Sequence, residues 1–219
     1  MPVHDTPVAW LREAVESVLA QRYDNFELCI CDDASTSRET VDYLASLSHP
    51  RVRMARLAEG GHIAAATNRA LELAGGDYVA FMDHDDRLDP DALFHVCEAI
   101  NETQADVVYT DEDYLDVQGR RCRPNFKPDF SPDLLLSHNY VTHLLVVRRE
   151  LLEQIGGLDS AYDGCRTTTS CFGCRRLPKA SSTCRGCSIT GASPTPRAAS
   201  TRHPSRTSEN GPASSRLIP

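Results

Sequence analysis

The sequence predicts an α/β fold with a doubly wound, mostly parallel sheet and helices on both faces. Three observations predict it. Short apolar runs alternate with amphipathic segments over residues 1–109, acidic residues follow several of the apolar runs, and the composition changes sharply after Asp163. Strands that alternate with helices at this spacing favour a parallel sheet.

The first element is an amphipathic helix. Apolar side chains recur at helical spacing over residues 7–21, and we expect Thr6 to be the N-cap and Pro7 the first helical residue. Residues 26–31 (FELCIC) form a short apolar run that is typical of a buried strand. The same alternation predicts a helix over 38–47, a strand over 52–57, a helix over 63–74, a strand over 78–82, a helix over 90–101 and a strand over 107–109.

Acidic residues cluster where three of these strands end. Ligands of doubly wound sheets bind beyond the carboxyl ends of the strands. We therefore expect three acidic clusters to converge on one edge of the sheet. They are Asp32 and Asp33, then Asp83, Asp85 and Asp86, then Asp111, Glu112 and Asp113.

The second cluster has the spacing of a cation site. Asp83 and Asp85 are separated by one residue on a turn, so both carboxylates can reach one hard cation such as Mg²⁺ or Mn²⁺. A solvated, Asp-rich turn before a helix is the alternative interpretation, because carboxylates favour helix N-termini.

The first cluster also has two interpretations. Asp32 and Asp33 either cap the next helix through a turn or place a carboxylate to accept the imide N–H of a uracil or thymine ring. Gly60 and Gly61 resemble a phosphate-binding turn before a helix. Asn68 on that helix faces either a nucleotide or solvent.

Longer motifs in the first 163 residues resemble those of one enzyme family. They are ELCICDDAST, GGHIAAATNRAL, YVAFMDHDDRLDPDAL, YTDEDYLD and FKPDFSPDLLLSHNYVTHLLVVRR, together with the N-terminal stretch MPVHDTPVAWLREAVESVLAQ. Their order and spacing resemble the family 2 glycosyltransferases, which are inverting enzymes with the GT-A fold. The resemblance covers residues 1–163.

This resemblance implies roles for individual residues. Asp33 would bind the base of the donor, with Asp32 beside it, and Asp83 and Asp85 would form a D-x-D motif that holds the metal. The implied donor-binding residues are Asp32, Asp33, Asn68 and Asp83. The implied acceptor side comprises Asp111, Glu112, Asp113, Asn139 and His143.

The resemblance also implies the reaction and the partners. A sugar would pass from a nucleoside-diphosphate sugar, UDP- or dTDP-linked, to a glycan or lipid-linked acceptor, with Mg²⁺ or Mn²⁺ assisting departure of the diphosphate. The net charge of −8 argues against a nucleic-acid partner. No apolar run spans a membrane and no secretory signal is recognisable, so we expect a cytoplasmic location, with the inner face of the membrane as a site of peripheral association.

The sequence departs from the family pattern at two places. Family members begin with a full apolar strand, of which this chain shows only the last residues, up to His4 and Asp5. Family members also carry an acidic motif after the position of Gly164, whose first Asp acts as general base. This chain reads GCRTTTSCFGCRRLP there, so the catalytic base is unknown.

The last 56 residues differ in composition from the first 163. They carry a net charge of +8 against −16 for the preceding part, and they contain 18 Ser and Thr residues and five of the nine cysteines. Residues 1–163 are therefore predicted to form the glycosyltransferase-like domain and residues 164–219 a disordered, low-complexity tail.

Two explanations of this tail remain. Cys171 and Cys174, with Cys184 and Cys187, have the spacing of a zinc-binding module. Alternatively, reading the codons one nucleotide earlier allows LPDYDLVLRLP, which restores the acidic motif and indicates a frame-shifted tail.

A non-catalytic nucleotide-sugar-binding remnant and a nucleotidyl transferase are the other functional alternatives.

Overall fold

The computed structural model describes residues 1–116 and 118–163 and the backbone of residues 181–192. The helices are α1 (Val8–Leu19), α2 (Arg38–Ser46), α3 (His62–Leu71), α4 (Ala92–Thr103), α5 (Pro132–Ser137) and α6 (Arg149–Ile155). The strands are β1 (Pro2–Val3), β2 (Leu28–Asp32), β3 (Val52–Arg56), β4 (Tyr78–Phe81), β5 (Asp86–Leu88), β6 (Val107–Leu115), β7 (Arg121–Asn125), β8 (Leu145–Arg148) and β9 (Ser181–Ala192). A 3-10 turn covers Ser160–Tyr162.

Every predicted helix and strand is present, most with ends shifted by a few residues, but the strand predicted over 107–109 continues to Leu115 and includes the third acidic cluster. The start of α1 differs from the prediction, because the helix begins at Val8 with Pro7 in the N-cap position and has no side-chain cap. Thr6 is therefore not the cap. Its carbonyl accepts a hydrogen bond from Thr40 Oγ1 at 2.9 Å, which joins the chain before α1 to α2.

The first sheet is parallel, as the sequence predicts. Its strand order is β1-β2-β3, and β2 and β3 pair from Leu28 opposite Val52 to Asp32 opposite Arg56. Parallel strands place their carboxyl ends at the same edge of the sheet. Helix α3 follows β3, so its start lies next to the residues that follow β2.

The second sheet is mixed rather than mostly parallel. Its order is β4-β8-β6-β9-β5, with β7 pairing on β6. Strand β8 runs antiparallel to both β4 and β6, so these two strands still point the same way. The sequence pattern missed β8 because four residues are too few to show a period.

Residues 181–192 are the one part of the predicted tail that the structure describes. They form β9, which pairs parallel with β6 and antiparallel with β5. Sheet pairing uses main-chain groups, so a segment poor in aliphatic residues can occupy this position. The rest of the tail, including Cys171 and Cys174 of the predicted zinc module, lies outside the described residues.

Helices cover both faces of the sheets, as predicted. One apolar core joins α1 and α4 to the sheets through residues such as Leu11, Ile30 and Val146. A second core packs α3 and α6 against β6 and β8, with Tyr109 fully buried in it. None of the helices in the described parts of the chain is both long and apolar enough to span a bilayer.

Candidate functional site

Asp83, Asp86 and His143 meet beyond the end of β4. Strands β4 and β8 pair with Phe81 opposite Leu145, so the residue two positions after Phe81 lies beside the residue two positions before Leu145. His143 Nε2 is 3.5 Å from Asp83 Oδ2, and His143 Nδ1 is 3.6 Å from Asp86 Oδ2. One ligand atom from each residue lies within 4.8 Å of the others. We call these three residues the His143 cluster.

Asp86 is the most buried carboxylate of the His143 cluster. It is 8% exposed, and its buried Oδ2 accepts no hydrogen bond from the residues described. Burial raises the pKa of Asp86 to about 7, opposed by His143 and reinforced by the carboxylates of Asp83, Asp85 and Glu112. A buried acceptor without a donor is unfavourable, and a bound cation would compensate it.

The loop that carries His143 is held by a buried ion pair. Glu112 accepts hydrogen bonds from Thr142 Oγ1 at 2.8 Å and from the His143 N–H at 3.3 Å. Lys127 Nζ lies 3.3 Å from Glu112 and donates to the Val141 carbonyl at 2.7 Å and to the His143 carbonyl. These contacts fix the main chain on both sides of the imidazole.

Burial affects the two members of this ion pair differently. Burial would raise the pKa of Glu112, but the Lys127 ammonium and three hydrogen bonds outweigh it and lower that pKa. Burial lowers the pKa of Lys127, and the carboxylate of Glu112 offsets this only in part. Each buried charge is therefore stabilised by the opposite charge of its partner.

The first acidic cluster makes contacts within the protein. Asp32 pairs with Arg56, and its Oδ1 accepts the Ser35 N–H at 2.9 Å. Asp33 Oδ1 accepts the N–H of Gly61 at 2.6 Å, which connects the end of β2 to the start of α3. These contacts hold the turn after β2, and the nucleotide contacts of Asp32 and Asp33 stay predictions.

Asn68 has a structural position that the sequence did not indicate. Its Nδ2 donates to the Leu158 carbonyl at 2.9 Å, and its Oδ1 accepts the Leu158 N–H at 2.8 Å. Both polar atoms of the Asn68 side chain are therefore hydrogen-bonded to the main chain of Leu158, which is distant in the sequence. This geometry favours a structural role over the nucleotide contact assigned to Asn68.

The structure places the remaining predicted residues around β6 and the turn after β4. Asp85 lies next to the His143 cluster without belonging to it. Asp111 Oδ1 accepts the N–H of Lys127 at 2.8 Å, and Asp113 Oδ2 accepts Arg121 Nε at 2.5 Å. Asn139 lies in the loop before β8. The acceptor contacts predicted for Asp111, Glu112, Asp113 and Asn139 stay predictions. His143, the fifth residue predicted on the acceptor side, faces Asp83 and Asp86.

Sequence reasoning placed Asp86 in the acidic cluster without making it a metal ligand, and it missed Lys127. Asp86 follows Asp85 directly, and the D-x-D spacing drew attention to Asp83 and Asp85 instead. Lys127 carried no recognisable signal, because lysine is a surface residue by default and is rarely buried unless it is paired. Their roles depend on contacts across the fold.

The comparisons with known proteins agree with this fold. The family model described as "Glycosyl transferase family 2" matches residues 1–156. The crystal structure of residues 1–349 of TarS from S. aureus in complex with UDP-GlcNAc aligns with a TM-score of 0.70 and 18% identity. That alignment covers 89% of this chain and 57% of the TarS chain. At this identity the similarity shows the fold.

Two curated proteins from bacteria are similar in sequence. The O-antigen biosynthesis protein RfbC of Myxococcus xanthus is 45% identical over 166 residues, covering 74% of this chain and 13% of RfbC. A chondroitin synthase of Pasteurella multocida is 32% identical over 139 residues, covering 61% of this chain and 14% of the synthase. This chain thus spans less than a fifth of either relative. The family match over most of its length shows that the chain belongs to glycosyl transferase family 2.

Proposed function

We propose that this chain forms the donor site of a glycosyltransferase that takes a sugar from a nucleoside-diphosphate sugar, with UDP as the favoured nucleotide. The observation that carries this proposal is the meeting of Asp83, Asp86 and His143 in a chain of this family. The structural neighbour TarS has been crystallised with UDP and with UDP-GlcNAc, which supports a UDP-sugar donor. The name of RfbC, an O-antigen biosynthesis protein, supports a glycan or lipid-linked acceptor. Transfer with inversion at the anomeric carbon is part of the proposal.

The residues of the His143 cluster fit a divalent cation. They offer two carboxylates and one imidazole within 4.8 Å, and the buried Asp86 Oδ2 has no hydrogen-bond donor in the described parts of the chain. Mn²⁺ fits this set better than Mg²⁺, because Mg²⁺ takes oxygen ligands almost exclusively. The cation would act as a Lewis acid that neutralises charge on the leaving diphosphate.

The ligand set is tested by Mn²⁺ titration of single variants in the presence of UDP. Asp86→Asn should weaken Mn²⁺ binding at least about tenfold, and Asp85→Asn should leave it nearly unchanged. The two substitutions make the same side-chain change at neighbouring positions, so the comparison separates ligation from general electrostatics. Loss of binding in Asp85→Asn alone would support the D-x-D assignment and contradict the one made from geometry.

The donor proposal is tested by binding of UDP-sugars in the presence and absence of Mn²⁺. We expect UDP-sugars to bind more tightly with Mn²⁺, and dTDP-sugars to bind more weakly than UDP-sugars. The variant Asp83→Asn with Asp86→Asn is the control that should lose the Mn²⁺ dependence. Equal binding by wild type and this double variant would contradict the proposal.

We further propose that transfer by this chain is slow. The segment GCRTTTSCFGCRRLP has no carboxylate at the place where the family carries its acidic motif, and a positioned base contributes roughly 10²- to 10⁴-fold. Sugar transfer by wild type should therefore exceed that of the Asp83→Asn, Asp86→Asn control only slightly. Rapid turnover would contradict this proposal while leaving the donor site intact.

The reading frame after Gly164 has a test of its own. We propose that this part is translated one nucleotide out of register, because the alternative reading LPDYDLVLRLP contains the missing acidic motif. Sequencing of the coding DNA should reveal codons that give this reading. Codons that cannot give it would exclude the frame shift and make zinc analysis of the cysteine-rich segment the next measurement.

A further inference from the structure

Glu112 collects hydrogen bonds from the loop that carries His143. Its Oε2 atom accepts three of them, from Thr142 Oγ1 at 2.8 Å, from the His143 N–H at 3.3 Å and from Lys127 Nζ at 3.3 Å. The other oxygen, Oε1, accepts Asn125 Nδ2 at 3.0 Å. Both oxygens of Glu112 are therefore occupied by this chain, and the hydroxyl of Thr142 is the nearest of the three donors to Oε2.

Thr142 has a main-chain conformation that its own side chain disfavours. Its φ angle is +36°, and among the six described non-glycine residues with positive φ it alone has a branched Cβ. A positive φ brings the Cβ close to a main-chain oxygen, and branching at the Cβ increases this repulsion. Such a conformation persists only where the surrounding contacts hold it, and it is typical of functional sites.

The chain is anchored on both sides of Thr142 and His143. Val141 and Leu144 are both buried, and the Leu144 N–H donates to Thr110 Oγ1 of β6 at 3.0 Å. Successive side chains of an extended chain point to opposite sides, and a positive φ interrupts this alternation. The direction of the imidazole between the two anchors therefore depends on the conformation of Thr142.

We propose that Thr142 is a positioning residue for the cation site of the His143 cluster. Its hydrogen bond to Glu112 holds the strained main chain in the conformation that turns the imidazole toward the two carboxylates, 3.5 and 3.6 Å away. Without the hydroxyl, relaxation to a negative φ becomes favourable and moves the imidazole away from them. Thr142 acts through His143 and does not itself bind the cation. The inference rests on the proposed function, because that function supplies the cation.

Thr142 can be tested more cleanly than the two charged residues that hold the same loop. Replacing either Glu112 or Lys127 alone leaves the other charge buried without a partner, so the whole fold loses stability. Thr142 is half-buried and uncharged, and its replacement leaves the ion pair in place. A change at Thr142 therefore separates the direction of the imidazole from the stability of the fold.

The experiment measures Mn²⁺ binding to the whole chain without nucleotide, by titration and by electron spin-echo spectroscopy. A coordinated imidazole produces nitrogen modulation in the spin-echo signal of Mn²⁺, and His143→Ala identifies the source of this modulation. Thr142→Val should weaken Mn²⁺ binding about tenfold and remove the modulation, because valine keeps the branched Cβ without the hydroxyl. Thr142→Ser keeps the hydroxyl and should retain both. Thr103→Val makes the same change at the exposed end of α4 and should also retain both.

Thermal unfolding of the metal-free protein tests the strained conformation separately. Thr142→Gly and Thr142→Ala both lack the hydroxyl, but glycine adopts a positive φ readily and alanine does not. The glycine variant should therefore unfold at the higher temperature. This order is the reverse of the usual one, because alanine is the more stabilising residue wherever it fits the main chain.

The outcomes separate this inference from the proposed function. Unchanged Mn²⁺ binding and modulation in Thr142→Val would overturn the inference and leave the cation site intact. An alanine variant more stable than the glycine variant would overturn it as well, because the positive φ would not be required. Wild type that binds Mn²⁺ without nitrogen modulation would overturn it too, since His143 would not be a ligand. Failure of wild type to bind Mn²⁺ would contradict the proposed function, and the inference with it.

Discussion

The ammonium of Lys127 and the carboxylate of Glu112 form an ion pair inside the protein, 3.3 Å apart, with the lysine only 6% exposed. The same two side chains bind the main chain of residues 141–143. This buried ion pair therefore holds His143 beside Asp83 and Asp86. A change in the pair should affect both the stability of the protein and the geometry of the site.

Replacement of Lys127 by methionine should destabilise the fold by about 3–5 kcal/mol, because it leaves the buried Glu112 carboxylate without its partner. Urea unfolding measures this change. The double variant Lys127→Met, Glu112→Leu should recover most of the loss, since it removes both charges. A single variant that loses less than about 1 kcal/mol would show that the pair is solvated and exposed in solution.

Replacement of Asn68 by alanine should lower stability by about 1–3 kcal/mol, because the N–H and C=O of Leu158 both lose their partner. Affinity for UDP should stay unchanged once the protein is folded. The exposed Asn101 on α4 provides the control Asn101→Ala, which should have little effect. A fall in UDP affinity with unchanged stability would restore the nucleotide contact predicted from the sequence.

Gly156 and Gly157 should respond differently to alanine. Both have positive φ angles, +82° and +78°, which disfavour alanine by about 1–2 kcal/mol. A Cβ at Gly156 would meet no atom within 4 Å, whereas one at Gly157 would lie 2.6 Å from Asn68 Oδ1. Thermal unfolding should therefore rank Gly157→Ala as clearly less stable than Gly156→Ala. In an Asn68→Ala background this difference should shrink, and an unchanged difference would contradict the proposed clash.

The candidate site was predictable in part. The carboxylates after β4 were visible in the sequence, since carboxylates after short apolar runs mark the end of strands. Asp111, Glu112 and Asp113 were expected after a strand but lie inside β6. The sequence did not indicate whether Asp85 or Asp86 joins the cluster with Asp83 and His143. Two neighbouring aspartates have the same side chain, and only the fold determines the direction in which each one points. His143 was placed on the acceptor side, and the structure puts it against the carboxylates.

The sequence by itself determined the order of helices and strands, the parallel first sheet and the family, because these depend on local periodicity and on motifs in their order along the chain. The tertiary structure decided that β8 enters between β4 and β6, that Lys127 is buried and that Asn68 holds Leu158. The physical reason is that these contacts join residues far apart in sequence, such as Asp83 and His143. Strand register, which no local pattern encodes, brings such residues together.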